Sequence, residues 1–284
     1  MISKGLLPAL LISVVLSFSS CTRDAYYQNN KAHQKKVAEA TQVLLETPKT
    51  KLESPNDTLV INDQWIGTTN FSIRKPNFVV IHHTAQESLD QTIRTFTVTR
   101  TSVSSHYVIS RDGTVVQMLN DYLRSWHAGR GSWGNDTDLN SSSIGIELDN
   151  NGSEYFTDKQ IESLIQVLKV LKEKYNIPTA NFIGHADLAP GRKVDPSEYF
   201  PWKKLADAGF GYWYDEKILQ PDYEGKVPVN FNPIDALRII GYNISDPAAA
   251  IQSFKLHFTK REINNPELTD LDKMILYDLY LKYR

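Results

Sequence analysis

The sequence predicts an α/β domain followed by a small all-helical one. Three observations carry this. An aliphatic run, Phe78 to Ile81, enters two histidines; Ile161, Leu164, Ile165, Leu168 and Leu171 share one helical face; and after about residue 232 only helical periodicity remains. In order, Phe78–His83 is a strand, and a segment led by Ser88 with Leu89, Ile93 and Phe96 at helical spacing is the helix after it. His106–Ile109 and Thr114–Met118, separated by Arg111-Asp112-Gly113, read as a hairpin-like pair of strands. Ile144–Leu148 is a further strand. Thr157 with Gln160 three residues on is a capping box for the amphipathic helix, which ends before Pro178. Asn181–His185 is a short strand. Pro233–Ile240, Asp246–Phe258 and Leu268–Tyr283 are the three terminal helices, with turns at Gly241-Tyr242-Asn243 and Asn264-Asn265-Pro266. About fifty residues bury little on their own, so this unit is expected to dock on the first.

The amino terminus is of a different kind. Residues 1–20 hold one cation, Lys4, and an apolar stretch from Leu6 to Phe18 broken only by Pro8 and Ser13. That is short of the ~20 apolar residues a bilayer crossing needs and reads as a signal peptide. Residues 21–57 are polar, with one apolar cluster at Val43–Leu45, and read as a tether with a helical turn or two. The divisions expected after it are an α/β domain over 58–208, a linker over 209–231 and the helical unit over 232–284. With 31 Lys+Arg against 33 Asp+Glu, the formal charge is -2. No basic surplus exists to neutralise a polyanion, so nucleic-acid binding is not expected. The one cysteine, Cys21, excludes an internal disulfide.

The chemistry-bearing residues gather in two places. His82, His83, His185, Asp187 and Asp195 are metal-ligand types at strand ends and in one loop built on Pro190-Gly191. His82 and His83 are neighbours on a strand and point to opposite faces, and spacing alone does not choose between them. His33 and His257 have no partner motif.

The motifs Val80-Ile81-His82-His83-Thr84, Ser105-His106-Tyr107-Val108-Ile109, Arg111-Asp112-Gly113, Trp126-His127-Ala128-Gly129, Ser143-Ile144-Gly145-Ile146-Glu147 and Gly184-His185 through Lys193-Val194-Asp195-Pro196 run in one order over roughly 120 residues. By them the chain resembles the zinc-dependent N-acetylmuramoyl-L-alanine amidases, a family shared with phage lysozyme-amidases and peptidoglycan recognition proteins, and most of all its outer-membrane lipoprotein branch. The resemblance implies a mixed central β-sheet flanked by helices, one zinc ion per chain, and ligands His82, His185 and Asp195. It implies Glu147 as the base for an attacking water and Lys193 as a partner of the developing oxyanion. It gives Asp187 no metal role, which leaves that residue a structural hydrogen bond. His106, Trp126, His127 and Tyr107 are expected to line the cleft, with Tyr107 and Trp133 as candidates for stacking on sugar rings.

The expected substrate is peptidoglycan or its muropeptides, cut between N-acetylmuramic acid and L-alanine. Two rivals are recognition without catalysis and a zinc peptidase acting within the stem peptide. The complete ligand set with Glu147 and Lys193 favours an enzyme. Phe18-Ser19-Ser20-Cys21 resembles a bacterial lipobox, although Phe18 replaces the usual aliphatic residue, and implies a lipid on Cys21 that anchors the protein to an outer membrane; Thr22-Arg23-Asp24 has no acidic run of the sort that suggests surface export, so the periplasmic face is expected, and the protein is expected to be a monomer. Ala236-Leu237 to Gly241-Tyr242, with Ala249 through Phe258, resembles a three-helix peptidoglycan-binding domain.

Overall fold

The computed structural model describes residues 25–45 and 68–284, in two units. The first unit holds α1, Tyr27–Leu45, a 19-residue helix with no buried residue. The sequence reading allowed a turn or two there. What extends it is the helix propensity of its Gln, Lys, Ala and Glu residues, helped by Lys35 and Glu39 one turn apart at 3.8 Å. The expected signal peptide, Cys21 and tether residues 46–57 lie outside the described residues. Among the described residues no helix is long and apolar enough to cross a membrane.

The second unit, residues 70–284, is built on a five-stranded sheet of order β3-β2-β4-β1-β5. The strands are β1 Phe78–His83, β2 Tyr107–Ile109, β3 Val115–Gln117, β4 Ser143–Leu148 and β5 Phe182–Gly184. β1 is parallel to β4 and β5, β4 is parallel to β2, and β3 is antiparallel to β2, so the sheet is mixed. Register puts His82 opposite Glu147 and Val80 opposite Gly145. β4 is buried along its whole length, as a central strand covered on both faces must be.

Alternation along β1 assigns the two faces. Val79 and Ile81, with Ile109, Ile144, Ile146 and Leu148, pack against α4 (Asp158–Tyr175) and α6 (Trp202–Asp207). Val80 and Ile183 point the other way, into a core completed by α7 (Pro233–Ile240), α8 (Pro247–Phe254) and α9 (Asp270–Tyr283). Asn232 and Asp246 cap α7 and α8 ahead of a proline in the first turn, and Thr269 caps α9. α8 runs on into a π-helical turn, Lys255–Thr259. Between the two helical layers, Phe210 and Ile218 are buried, and Trp213 touches both cores.

Two caps position the elements around the sheet. Ser88 Oγ accepts the Gln91 N–H at the start of α2 (Leu89–Thr97). Thr157 Oγ1 accepts the Gln160 N–H at the start of α4, but the expected reciprocal half of that box is absent. The Gln160 amide is buried and donates instead to Ile109 O and Asp149 O, because the carbonyls beyond β2 and β4 need donors more than an exposed cap does. Three short helices were not expected: α3 (Leu139–Ser142), which leads into β4, α5 (His185–Leu188), which follows β5 directly, and the six-residue α6.

Candidate metal centre

His82 is the last residue but one of β1, His185 opens α5 and Asp195 lies on the loop beyond it, and three buried ligand atoms of these residues lie within 4.8 Å of one another. Asp195 Oδ2 is 3.0 Å from His82 Nδ1 and 3.0 Å from His185 Nδ1. The outer nitrogen of each ring settles where the protons are. His185 Nε2 is 2.8 Å from Ala128 O, which can only accept, so Nε2 carries the hydrogen and Nδ1 presents a lone pair. For His82 the chain is longer. Ser143 donates its hydroxyl to Leu139 O, so it accepts from His127 Nε2 at 3.1 Å; His127 Nδ1 is then an acceptor and takes the His82 Nε2 hydrogen at 3.0 Å. His82 Nδ1 is left with a lone pair as well. Two lone pairs and an anionic oxygen converge with no hydrogen between them, an arrangement that a divalent cation satisfies.

Burial keeps the His82 and His127 rings neutral: with His185 alongside it lowers His82 to about 4, and it holds His127 well below the ordinary range. Glu147 is buried, with Oε1 4.0 Å from His82 Nδ1 and Oε2 without a hydrogen-bond partner among the described residues. Burial and then the Asp195 charge raise its carboxyl to about 8, against the nearby charge of Lys193. A carboxyl so placed takes up a proton readily.

The remaining sequence candidates divide. His83 turns away from this cluster, accepting the Ser197 N–H on Nδ1 at 3.1 Å. Trp126 is 52% exposed, its ring free to meet a ligand. His127 is not free: both nitrogens are engaged, and its backbone N–H and that of Ala128 are held by the buried Asn140 Oδ1. His106 is fully buried behind it, accepting the Gly145 N–H on Nδ1 and donating from Nε2 to Leu123 O, which corrects the expectation that it lines the cleft. Tyr107 is corrected too, since its hydroxyl donates to Asp121 on the α4 side of the sheet. Trp133 packs edge-on against Tyr242 within the core shared with α7–α9 and reaches no cleft. Asp187 has the structural part, accepting Gly184 N–H, Tyr242 OH and the His257 ring. Sequence reading missed Asn140 and Ser143, whose roles depend on tertiary neighbours, and it left His257 without a partner.

Comparison with known proteins adds to the geometry. A family profile described as N-acetylmuramoyl-L-alanine amidase matches residues 72–198. The N-acetylmuramoyl-L-alanine amidase AmiD of Escherichia coli K12 is 32% identical in an alignment 208 positions long that covers 63% of this chain and 74% of AmiD. The solved complex of that E. coli amidase with anhydro-N-acetylmuramic acid-L-Ala-D-gamma-Glu-L-Lys superposes with a TM-score of 0.65 at 30% identity, over 76% of this chain and 93% of the other. AmpDh3 of Pseudomonas aeruginosa superposes with a TM-score of 0.66 at 28% identity, over 79% and 99%.

Proposed function

Because the chain belongs to the N-acetylmuramoyl-L-alanine amidase family, we propose that His82, His185 and Asp195 hold one zinc ion at the centre of its active site. The protein hydrolyses the amide between the lactyl group of N-acetylmuramic acid and the L-alanine of the stem peptide. The observation that supports the ligand assignment best is the convergence of two imidazole lone pairs and a carboxylate oxygen, with the outer nitrogens tied to Ala128 O and to the His127–Ser143 chain. Zinc, the ion suited to two histidines and a carboxylate, supplies when bound a Lewis acid that polarises the scissile carbonyl and acidifies water.

The side chains do the rest. Glu147 takes a proton from the attacking water as its oxygen bonds to the carbonyl carbon. The same carboxyl then delivers that proton to the alanine nitrogen as the C–N bond breaks, and the second hydrogen of the water, left on the new lactyl carboxyl group, passes to the freed amine, so the products are a lactyl carboxylate and an ammonium group. Lys193, close enough for its charge to act on Glu147, stabilises the negative charge that develops on the carbonyl oxygen. Trp126 offers an exposed aromatic face for substrate. Lone-pair geometry at His82 and the unpartnered Glu147 Oε2 support catalysis over recognition alone.

The solved complex of the E. coli relative contains an anhydro-muropeptide, and soluble fragments of that class are the substrate we propose here. The lipobox-like Phe18-Ser19-Ser20-Cys21 supports a lipid on Cys21 and residence at the periplasmic face of an outer membrane. Radiolabelled palmitate should enter the protein and be lost with Cys21→Ala. For the reaction, muropeptides are incubated with protein from residue 22 onward and the products weighed. Free stem peptide beginning at L-alanine, abolished by a chelator and restored by zinc, is the expected result. Cleavage inside the peptide would instead make the protein a zinc peptidase.

A further inference from the structure

We propose that the carboxy-terminal helices are a working part of the metal site: Tyr242, Ser253 and His257 hold α5 in the place from which His185 addresses the ion. The proposal rests on the reading of His185 as a ligand.

α5 is four residues long, all of them buried, and a single turn does not support itself. Its last backbone bond runs from Ala189 N to His185 O. Something else must fix it. The buried Asp187 carboxylate, two residues past His185, accepts Gly184 N–H at 2.7 Å, Tyr242 OH at 2.9 Å and His257 Nδ1–H at 2.8 Å. The Ser253 hydroxyl donates to Ala186 O at 3.0 Å. Tyr242, Ser253 and His257 come from the loop after α7, from α8 and from the π-helical turn. The same element sets the third ligand, because Ala186 N–H donates to Asp195 O at 2.7 Å.

The donors are themselves fixed. The His257 ring is stacked on Trp202 of α6 at 3.9 Å and on Phe258 at 4.1 Å, and Tyr242 meets Trp133 edge-on at 4.9 Å. The π-helical turn interrupts the α-helical register of α8 at the residues that include His257, a departure that natural helices make mostly where a side chain has a task. A module serving only as a wall-binding appendage would dock through apolar surface. Here a buried carboxylate beside a ligand depends on hydroxyl and imidazole donors 55 and 70 residues away.

The test uses the whole chain and zinc itself as the probe. Zinc affinity is measured at 25 °C by competition with a chromogenic chelator, together with the melting temperature of each metal-free variant. Tyr242→Phe keeps the ring and the core, and it should weaken zinc binding about tenfold, in line with other outer-layer partners of metal ligands. His257→Leu should do the same, and His257→Asn, which returns an N–H near Nδ1, should recover most of the loss. Lower melting temperatures with zinc affinity within twofold of the unaltered protein would overturn the proposal and leave the helices as ordinary support. His185→Ala separates the two readings: it should abolish binding, and if it does not, the ligand assignment fails rather than the clamp.

Discussion

At the scale of single residues, the site consists of acceptors that need a cation and one carboxyl that needs a proton. Glu147→Gln preserves shape and removes the base, so zinc content should stay near one per chain while kcat falls by about 10²–10⁴; turnover near the unaltered rate would remove Glu147 from the mechanism. Asp195→Ala should lose the metal, and His83→Ala should keep it, since His83 faces Ser197. His127→Phe leaves His82 Nε2 without its acceptor, and the fall in zinc affinity should be about 10–100-fold by competitive titration. Much of this was legible in the sequence as residue types: the proposed ligands and Glu147 stand in short motifs. Which nitrogen faces the proposed ion was not, because it depends on a serine hydroxyl, a histidine and two carbonyls, from residues 127–128 and 139–143. His106 and Tyr107 show the same limit. Their motif stands in line with those of the site, yet strand alternation sends one behind His127 and the other through the sheet to Asp121.

At the scale of elements, β4 does two jobs, and Gly145 joins them. A Cβ at Gly145 would stand 2.4 Å from the His127 ring, so the strand is narrowed there to let that ring meet His82 edge-on. Gly145→Ala should therefore cost about 1–3 kcal/mol of stability and weaken zinc binding as well. A variant that melted earlier with zinc affinity intact would show that the ring can move without consequence. On the other face, Asp121 ties α4 to β2 by accepting Tyr175 OH, Tyr107 OH and Lys174 Nζ. Burial opposes its ionisation, but these donors hold its carboxyl below the ordinary range. A carboxyl lowered on folding contributes stability above the unfolded value of about 3.9, lost as pH falls through the lower folded value. Asp121→Asn should lose about 1.5–3 kcal/mol at pH 7 and shrink the difference from the unaltered protein below pH 4, by urea titration across pH. The strands and long helices were legible because hydrophobic period and caps agree. α3 and α5 were not, since a single turn has no period and these two exist through contacts.

At the scale of the whole molecule, the α7–α9 layer and the sheet share one core, in which Val80, Ile183 and Leu188 meet Leu237, Phe254 and Leu276. The expected divisions at 208 and 232 follow composition, and composition does not report which faces meet. Residues 70–284 should accordingly unfold in one calorimetric transition, with calorimetric and van't Hoff enthalpies equal. Two resolved peaks would mean that the helices melt by themselves.

The sheet's two borders, β3 and β5, are three residues each. An incoming strand would find only three rungs on either side to bond to, too few to hold a stack of copies together. The enzyme can therefore be crowded to high local density without its sheets joining into fibres, a property that long, flat borders would forfeit.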